Sequence, residues 1–322
     1  MTTLLDVYEV PATTRSFGDE LQASMAAIRL QIRWFGVRRS VAATQKSEVA
    51  NMFEAESKFV SMGKKLLDTN HPAWRNLVAV RTRIMNTWRK STLPYPEPGI
   101  RLIRRPMLEG FTDEIKELRD DLLEAERELA ECYAEMKAAA SVRLGRLYNR
   151  DDYPETLLGL FDVFVDHPNF QVPEYLRLIS PSLYQQEAER IRNRFDDAVR
   201  LAEESFIGEL AKLVEHLTDR LAGTKDGKPK IFRDSVVSNL VDFFERFRQL
   251  NIGSSDDLDR MVADVRRIVG ETTAADLRNS TPLRQHVATE LLRVQASLDG
   301  LMVDRPRRNL IRRNGGSNAN RD

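Results

Sequence analysis

Apolar side chains recur at helical spacing along residues 109–147. The steps between them alternate between four and three residues over four heptads, which is a period of 3.5. The members of this seam are Phe111, Ile115, Leu118, Leu122, Ala125, Leu129, Cys132, Met136 and Ala139. Such a repeat keeps one stripe turned towards a partner helix in a left-handed supercoil. The pattern therefore predicts one amphipathic helix of roughly 58 Å.

Residues 181–222 carry a second seam of the same kind. Its members are Tyr184, Ala188, Ile191, Phe195, Ala198 and Ala202, followed by Phe206, Leu210, Leu213, Leu217 and Leu221. Because the two segments are nearly equal in length, we predict that they pair as an antiparallel coiled-coil hairpin. Residues 148–180 lie between them and are rich in proline and aromatic residues, which predicts a small tip subdomain with its own core.

Shorter segments of the same periodicity predict the remaining helices. They cover about residues 19–44, 46–67, 72–91, 153–165, 233–250, 255–270 and 282–302. Alternation of the strand type is confined to runs of four or five residues, and residues 100–104 are the best strand candidate. The predicted fold class is all-α, a helical bundle with a long antiparallel coiled-coil hairpin.

This pattern also predicts how the chain is organised. Residues 1–108 supply the N-terminal helices of a base bundle, and residues 109–222 form the hairpin with its tip at 148–180. Residues 223–303 supply the C-terminal helices of the base. Residues 304–322 are rich in arginine, asparagine and glycine and cannot bury a core, so we expect a disordered basic tail.

The composition is that of a globular or coiled-coil protein. Of the 322 residues, 42% are hydrophobic and 30% are charged. The opening MTTLLDVYEV lacks the pattern of a secretory signal, and no stretch approaches the roughly 18 apolar residues of a membrane span. A single cysteine, Cys132, excludes an intramolecular disulfide framework. We expect a soluble, cytoplasmic protein without a membrane partner.

Candidate chemistry is sparse along the chain. The four histidines lie in separate contexts, and neither phosphate-loop pattern, GxxxxGK[ST] or GxGxxG, occurs. Cys132 lies in the apolar seam, where a thiol packs like alanine. Trp34, Phe35, Trp74 and Trp88 have helical spacing, which favours core packing over stacking on bases. We predict no catalytic residue, cofactor or metal, and an enzyme with a dispersed site is the least favoured reading.

Charge is balanced overall but segregated along the chain. There are 49 lysines and arginines and 49 aspartates and glutamates. Residues 21–47 carry five basic residues and no acid, residues 305–321 carry six arginines and no acid, and residues 109–135 carry eleven acids against three bases. The candidate nucleic-acid contacts are Arg38, Arg39, Arg104, Arg105, Arg307, Arg308, Arg312 and Arg313. The alternative is that the acidic helix or a neighbouring subunit neutralises them.

Three stretches carry a resemblance to a known family. They are TWRKSTLPYPEPGIRLIRR at 87–105, RLYNRDDYPE at 146–155 before the apolar FDVFV, and FRDSVVSNLVDFFERFRQLNIGSSDDLDRMVADVRRIV at 232–269. Together they resemble a mostly helical domain of unknown function found in phage and bacterial proteins, sometimes encoded near MoxR-type AAA+ ATPases. The resemblance spans about residues 70–302. It implies a prokaryotic or phage origin and an ATPase partner, and it carries no site residues.

These observations lead to a ranked expectation of function. The first hypothesis is a non-enzymatic structural or interaction protein that uses the helical hairpin for self-assembly or partner binding. The second is a nucleic-acid-associated helical protein that uses the basic base and the C-terminal tail. An adaptor of an AAA+ ATPase is a further alternative.

Overall fold

In the computed structural model the chain divides into two compact units, residues 1–198 and 199–322. The structure describes residues 16–222, 224–225, 228–229, 234–270 and 274–303. Helices make up most of this described part, and β-strands are present as well. The protein is therefore mostly α-helical, and the all-α prediction holds only in that coarser sense.

The first unit alternates helices with short strands. In chain order its elements are α1 (Phe17–Ser24), β1 (Met25–Arg33), β2 (Arg38–Ser40), α2 (Ala43–Met52), β3 (Gly63–Lys65), α3 (Pro72–Lys90), β4 (Leu93–Pro94), β5 (Ile100–Arg104), α4 (Leu108–Leu144), β6 (Asp162–Asp166), α5 (Glu174–Ile179) and α6 (Pro181–Ala222). Helix α6 crosses the boundary between the units at residue 198. The predicted long helices 109–147 and 181–222 are confirmed as α4 and α6.

Three sequence predictions in this unit are wrong. The predicted helix 19–44 gives way to strand β1 after Ser24, and the predicted helix 46–67 ends at Met52. The predicted helix 153–165 is replaced by turns and strand β6. The strand candidate 100–104 is confirmed as β5. The strands form an antiparallel sheet in the order β4-β5-β1-β6, and β2 pairs with β3 in a separate two-stranded sheet.

Strand β1 lies between β5 and β6 in the four-stranded sheet. Met25 stands opposite Arg104 at one end of the strand, and Arg33 stands opposite Asp162 at the other. Successive side chains of a strand point to opposite faces. The even-numbered positions of β1 accordingly face the helical core, and they are Ala26, Ile28, Leu30 and Ile32.

The seam of α4 is buried in a core that it shares with α3 and the sheet. The buried members from these elements include Leu77, Val80 and Ile84 of α3, Ile28, Ile103 and Val163 of the sheet, and Phe111, Ile115, Leu118, Leu122, Ala125 and Leu129 of α4. Tyr153, Leu157 and Phe161, from the segment predicted to be the tip, lie in the same core. Since α3 and the sheet already cover the α4 seam, the predicted pairing of α4 with α6 is not confirmed.

The buried stripe of α4 drifts away from the predicted heptad positions towards the end of the helix. Tyr133 and Ala140 are buried there, whereas Cys132 is only half-buried and Ala139 is exposed. A straight α-helix has 3.6 residues per turn, so its buried stripe moves off a 3.5-residue repeat over several turns. The drift fits packing within a globular core rather than within a supercoil.

Aromatic side chains pack in this core, although Trp34 follows strand β1 and does not lie on a helix as its spacing predicted. Trp34 meets Phe161 edge to face with ring centroids 4.9 Å apart, and Trp74 lies 6.1 Å from each of them. A separate aromatic group joins Tyr95, Phe170 and Phe195, with centroids 4.6 to 5.6 Å apart. Edge-to-face pairs of this kind add stability beyond the burial of area.

The described part of the second unit is a helical core. Its elements are the end of α6, the short strands β7 (Thr224–Lys225) and β8 (Lys228–Pro229), and the helices α7 (Asp234–Leu250), α8 (Asp256–Gly270), α9 (Ala274–Asn279) and α10 (Thr281–Val303). The predicted helices 233–250, 255–270 and 282–302 are confirmed to within one residue at either end. Phe206 of α6 packs edge to face on Phe243 and Phe247 of α7.

Within the described residues, no helix combines the length and the apolar character needed to cross a bilayer.

Candidate functional site

A small basic hairpin, defined as residues 38–65, stands at the C-terminal end of α4. It consists of β2, the α2 insertion and β3. The Lys64 ammonium is buried, where it donates to the Leu147 carbonyl at 2.6 Å and pairs with Asp152 at 2.6 Å. The Gln45 amide donates to the Arg146 carbonyl at 3.0 Å. These contacts fix the hairpin to the chain that follows α4.

The register of the hairpin places two cations directly opposite each other. Arg38 of β2 faces Lys65 of β3. The backbone bond from Leu66 N–H to Val37 O (2.8 Å) and the bond from Val41 N–H to Met62 O (3.2 Å) lie on either side of this pair. In an antiparallel ladder, Arg38 and Lys65 therefore form a non-hydrogen-bonded pair, in which the Cα atoms approach to about 4.5 Å.

Arg38 and Lys65 thus carry like charges on one face of the hairpin. Like charges directly opposite in a sheet are destabilising. Both side chains are exposed, and neither has an ion pair with any residue that the structure describes. The opposite face differs, because Lys64 is neutralised by Asp152 and the Arg39 guanidinium donates to the Gly36 carbonyl at 2.9 Å.

The tip of the same hairpin exposes large apolar side chains. Met52, Phe53 and Phe59 are 79%, 77% and 79% exposed. Two backbone bonds close the end of α2, from Ala55 N–H to Ala50 O (2.9 Å) and from Glu54 N–H to Asn51 O (3.2 Å). Glu54 adopts φ +52°, the left-handed conformation that ends helices in this motif. Phe53 is therefore held outward by a defined turn.

The structure separates the arginines that were predicted to contact nucleic acid. Arg38 and Arg39 are exposed on the basic hairpin, which contacts the residues just after α4. Arg104 is half-buried at the end of β5, and the Arg105 guanidinium donates to the Met25 carbonyl at 3.2 Å. Arg104 and Arg105 precede α4, which is 37 residues long and therefore roughly 55 Å. The two pairs lie at opposite ends of α4 and do not form one site.

The remaining predicted contacts lie beyond the chain that can be described. Arg307, Arg308, Arg312 and Arg313 fall outside the described residues. Their role in nucleic-acid binding stays a prediction.

A second surface, the apolar edge, comprises residues 174–183 in helix α5 and the first turn of α6. Its large apolar side chains are exposed: Tyr175 by 59%, Leu178 by 86%, Ile179 by 74% and Leu183 by 46%. Ser180 separates the two helices, and its hydroxyl oxygen accepts the Leu183 N–H at 3.4 Å at the start of α6. No side chain of α5 is buried.

The polar groups of the core hold the fold together. His71 caps α3, with its Nδ1 accepting the Ala73 N–H at 3.3 Å. The Tyr133 hydroxyl donates to the Pro154 carbonyl at 2.8 Å, and burial raises the pKa of this phenol to about 12.

Cys132 is a free thiol packed against the core. No group of three or more histidine, cysteine, aspartate and glutamate side chains is placed to hold a metal ion in the described part of the chain.

Several residues of these surfaces were missed at the level of sequence. Phe53 and Phe59 fall inside the predicted helix 46–67, where apolar residues are expected to be buried. Lys65 opposes Arg38 only because of the β2–β3 register, which no local pattern reveals. The apolar edge had one available signal, the run of apolar residues around Leu178 and Ile179 that precedes a capped helix.

Comparison with known proteins adds no relative to this description. No family model, no curated protein and no solved structure matches the chain. The resemblance of residues 70–302 to a helical domain of unknown function therefore stays a prediction, and the argument for function rests on the two surfaces.

Proposed function

We propose that this protein is a non-enzymatic interaction protein that self-associates through the apolar edge, residues 174–183. The observation that supports the proposal is the exposure of four large apolar side chains within ten residues. Contiguous exposed apolar surface of this kind is typical of protein interaction sites. We assign self-association to the apolar edge instead of the predicted coiled-coil hairpin, because the α4 seam already faces α3 and the sheet.

A second copy of the chain is the occupant that the charges favour. The chain has a formal net charge of zero, so two copies approach without net repulsion. The polar rim of α5 carries one charge of each sign, Glu174 and Arg177, whose closest atoms are 3.7 Å apart. In a two-fold contact the same patch meets itself, and Glu174 of each copy can approach Arg177 of the other.

The expected association is reversible. Full burial of a large apolar side chain contributes about 1.5 to 3 kcal/mol. Four such side chains on each copy give a gain of the same order as the cost of lost rotational and translational freedom. We therefore expect the fraction of dimer to rise with concentration over the micromolar range.

The test is the mass of the full-length protein in solution. Sedimentation or light scattering from about 1 µM to about 100 µM should show a mass that rises from 37.0 kDa towards twice that value. Leu178→Glu/Ile179→Glu should hold the protein at the monomer mass. Val142→Glu, which changes an equally exposed apolar side chain on α4, should associate like the wild type. A monomeric wild type, or a double variant that associates normally, overturns the proposal.

A further inference from the structure

We infer that the basic hairpin binds single-stranded nucleic acid. In this inference Arg38 and Lys65 contact backbone phosphates, while Phe53 and Phe59 stack on unpaired bases. The inference is independent of self-association, since the basic hairpin shares no residue with the apolar edge. Of the arginines in the sequence-based hypothesis it keeps Arg38 alone and pairs it with Lys65, because Arg104 and Arg105 lie at the other end of α4.

Arg38 and Lys65 occupy a non-hydrogen-bonded position of the β2–β3 ladder, where opposite side chains come closest. Neither forms an ion pair with any described residue, so no salt bridge in that part of the chain offsets their repulsion. A phosphate between the two side chains would relieve the repulsion and accept charge-assisted hydrogen bonds from both.

The face of the hairpin that carries Arg38 and Lys65 is open, and the hairpin is held in place from its opposite face. Ser40 and Gly63 are the next cross-strand pair on the same side of the hairpin, since side chains alternate along a strand. Both are small, and a Cβ built on Gly63 would have the Arg39 carbonyl oxygen, at 3.5 Å, as its only close neighbour. Buried Lys64 holds the other face against Leu147 and Asp152. A backbone phosphate can therefore approach without rearrangement of the hairpin.

Two exposed aromatic side chains, Phe53 and Phe59, lie on the same hairpin. Phe53 and Phe59 belong to the insertion that joins the two strands carrying Arg38 and Lys65, and each is nearly four-fifths exposed. Sites that bind single strands usually combine exposed aromatic rings with a basic surface, because every base offers a face for stacking. Paired bases in a duplex are already stacked on their neighbours, so the rings favour a single strand.

An anionic bilayer presents phosphates too, but the tip is less suited to it. Glu54 follows Phe53 directly, and Glu56 lies between the two phenylalanines. Insertion of the rings into a bilayer would carry these carboxylates into the headgroup layer, where anionic lipids repel them. Stacking on a base leaves both carboxylates in water.

The test uses the full-length protein with fluorescein-labelled oligo(dT) and oligo(rU) of about 20 nucleotides, a site size suited to such surfaces. The same measurements are made with a duplex of equal length and with phosphatidylserine-containing vesicles. Anisotropy is followed as a function of salt. We expect both single strands to bind, the duplex to bind at least about tenfold more weakly, and the vesicles not to compete.

Two variants separate the roles of charge and stacking. Arg38→Gln/Lys65→Gln should weaken binding at least tenfold and lower the slope of log affinity against log salt by about 1.4, the value for two phosphate contacts on a single strand. The same variant should unfold at an equal or higher temperature, because it removes the like-charge pair. Phe53→Ala/Phe59→Ala should weaken binding at least about thirtyfold and leave the slope unchanged.

Matched controls fix the interpretation. Arg89→Gln/Lys116→Gln removes two exposed cations at the other end of α4, and Phe17→Ala removes an exposed ring elsewhere. Neither should alter affinity or slope. The inference is overturned if oligo(dT) and oligo(rU) do not bind, if vesicles or duplex bind in preference, or if the charge variants at the two ends of α4 behave alike. The mass measured for the apolar edge has no bearing on these outcomes.

Discussion

The buried carboxylate of Glu126 on α4 accepts the backbone N–H of Phe161 at 3.1 Å. The same oxygen accepts the N–H of Leu160 at 3.0 Å, and the Glu126 residue is only 4% exposed. Phe161 directly precedes β6, and the Leu160 N–H is shared with the Leu157 carbonyl at 3.2 Å. The Glu126 side chain on α4 therefore supplies a hydrogen-bond acceptor to the backbone just before strand β6.

We expect Glu126→Ala to destabilise the protein by about 1 to 3 kcal/mol, because it leaves the buried Phe161 N–H without its acceptor, whereas the Leu160 N–H keeps the Leu157 carbonyl at 3.2 Å. Glu126→Gln keeps a carbonyl oxygen at the same position and should cost less than half as much. The free energy of unfolding from urea titration measures both. Glu131→Ala, an exposed acid one turn further along α4, is the control and should stay within about 0.5 kcal/mol of the wild type. If Glu126→Ala and Glu131→Ala lower the free energy of unfolding equally, Glu126 does not anchor the backbone before β6.

Gly18 of α1 is the subject of a second prediction. A Cβ at this position would lie 2.1 Å from the Asp196 carboxylate oxygen and 3.2 Å from the Asp196 backbone nitrogen. Gly18→Ala should therefore lower the free energy of unfolding by about 1 kcal/mol, since the Asp196 carboxylate must rotate away and its backbone nitrogen must give by a few tenths of an ångström.

The control for this variant is a glycine with free space around it. Gly110 lies in α4, and a Cβ there would have no neighbour within 4 Å. Gly110→Ala should raise the free energy of unfolding by about 0.5 to 1 kcal/mol, because alanine loses less backbone entropy in a helix. Opposite signs for the two glycine variants in the same thermal or urea assay are the expected result, and a stabilised Gly18→Ala would contradict the close approach.

A third prediction concerns pH. The Arg119 guanidinium donates to both oxygens of Asp162, at 2.7 and 3.1 Å, and this hydrogen bonding holds the pKa of the Asp162 carboxyl below its usual value. A carboxyl whose pKa is lower in the folded state stabilises the fold above the unfolded pKa of about 3.9. That contribution is lost as the pH falls through the folded pKa.

Asp162→Asn should therefore reduce the loss of unfolding free energy between neutral pH and about pH 3. Arg119→Gln should reduce it in the same way, and the double variant should add little to either single change. Urea titrations at a series of pH values measure the three variants. If Asp162→Asn and the wild type lose stability in parallel on acidification, the Arg119 pair does not contribute as described.

The error at β1 shows why the sequence predicts the helices better than the sheet. Leu21, Met25, Ile28 and Ile32 follow steps of four, three and four residues, which is a helical repeat. The two-residue repeat of a strand is also present, at Ala26, Ile28, Leu30 and Ile32. The segment therefore fits both a helix and a strand. Pairing with β5 and β6 decides between them, and that pairing joins residues up to about 140 positions apart.

Long helices with one buried stripe were predictable because their periodicity runs over many turns. The bounds of α6 were predicted to the residue and those of α4 to within three residues. The partner of α4 was not predicted, since an apolar stripe does not say what covers it. The candidate site was less predictable still. Arg38 was singled out for its charge, whereas Lys65 became part of the same surface only through the register of β3.

The last prediction concerns the ion pair that anchors the basic hairpin. The Lys64 side chain is 6% exposed and that of Asp152 is 19% exposed. Lys64→Met should lower the free energy of unfolding by about 2 to 4 kcal/mol, because it leaves the Asp152 carboxylate and the Leu147 carbonyl without their donor in a largely buried place. Lys64→Met/Asp152→Asn should recover part of that loss, since the unpaired charge is then gone.

Lys65→Met, the neighbouring exposed lysine, should leave stability unchanged or slightly raise it by relieving the repulsion with Arg38. Urea titration of the four proteins measures these differences. Equal destabilisation by Lys64→Met and Lys65→Met would mean that the hairpin is not fixed from its inner face, and the argument that its outer face is held ready for a phosphate would lose its support.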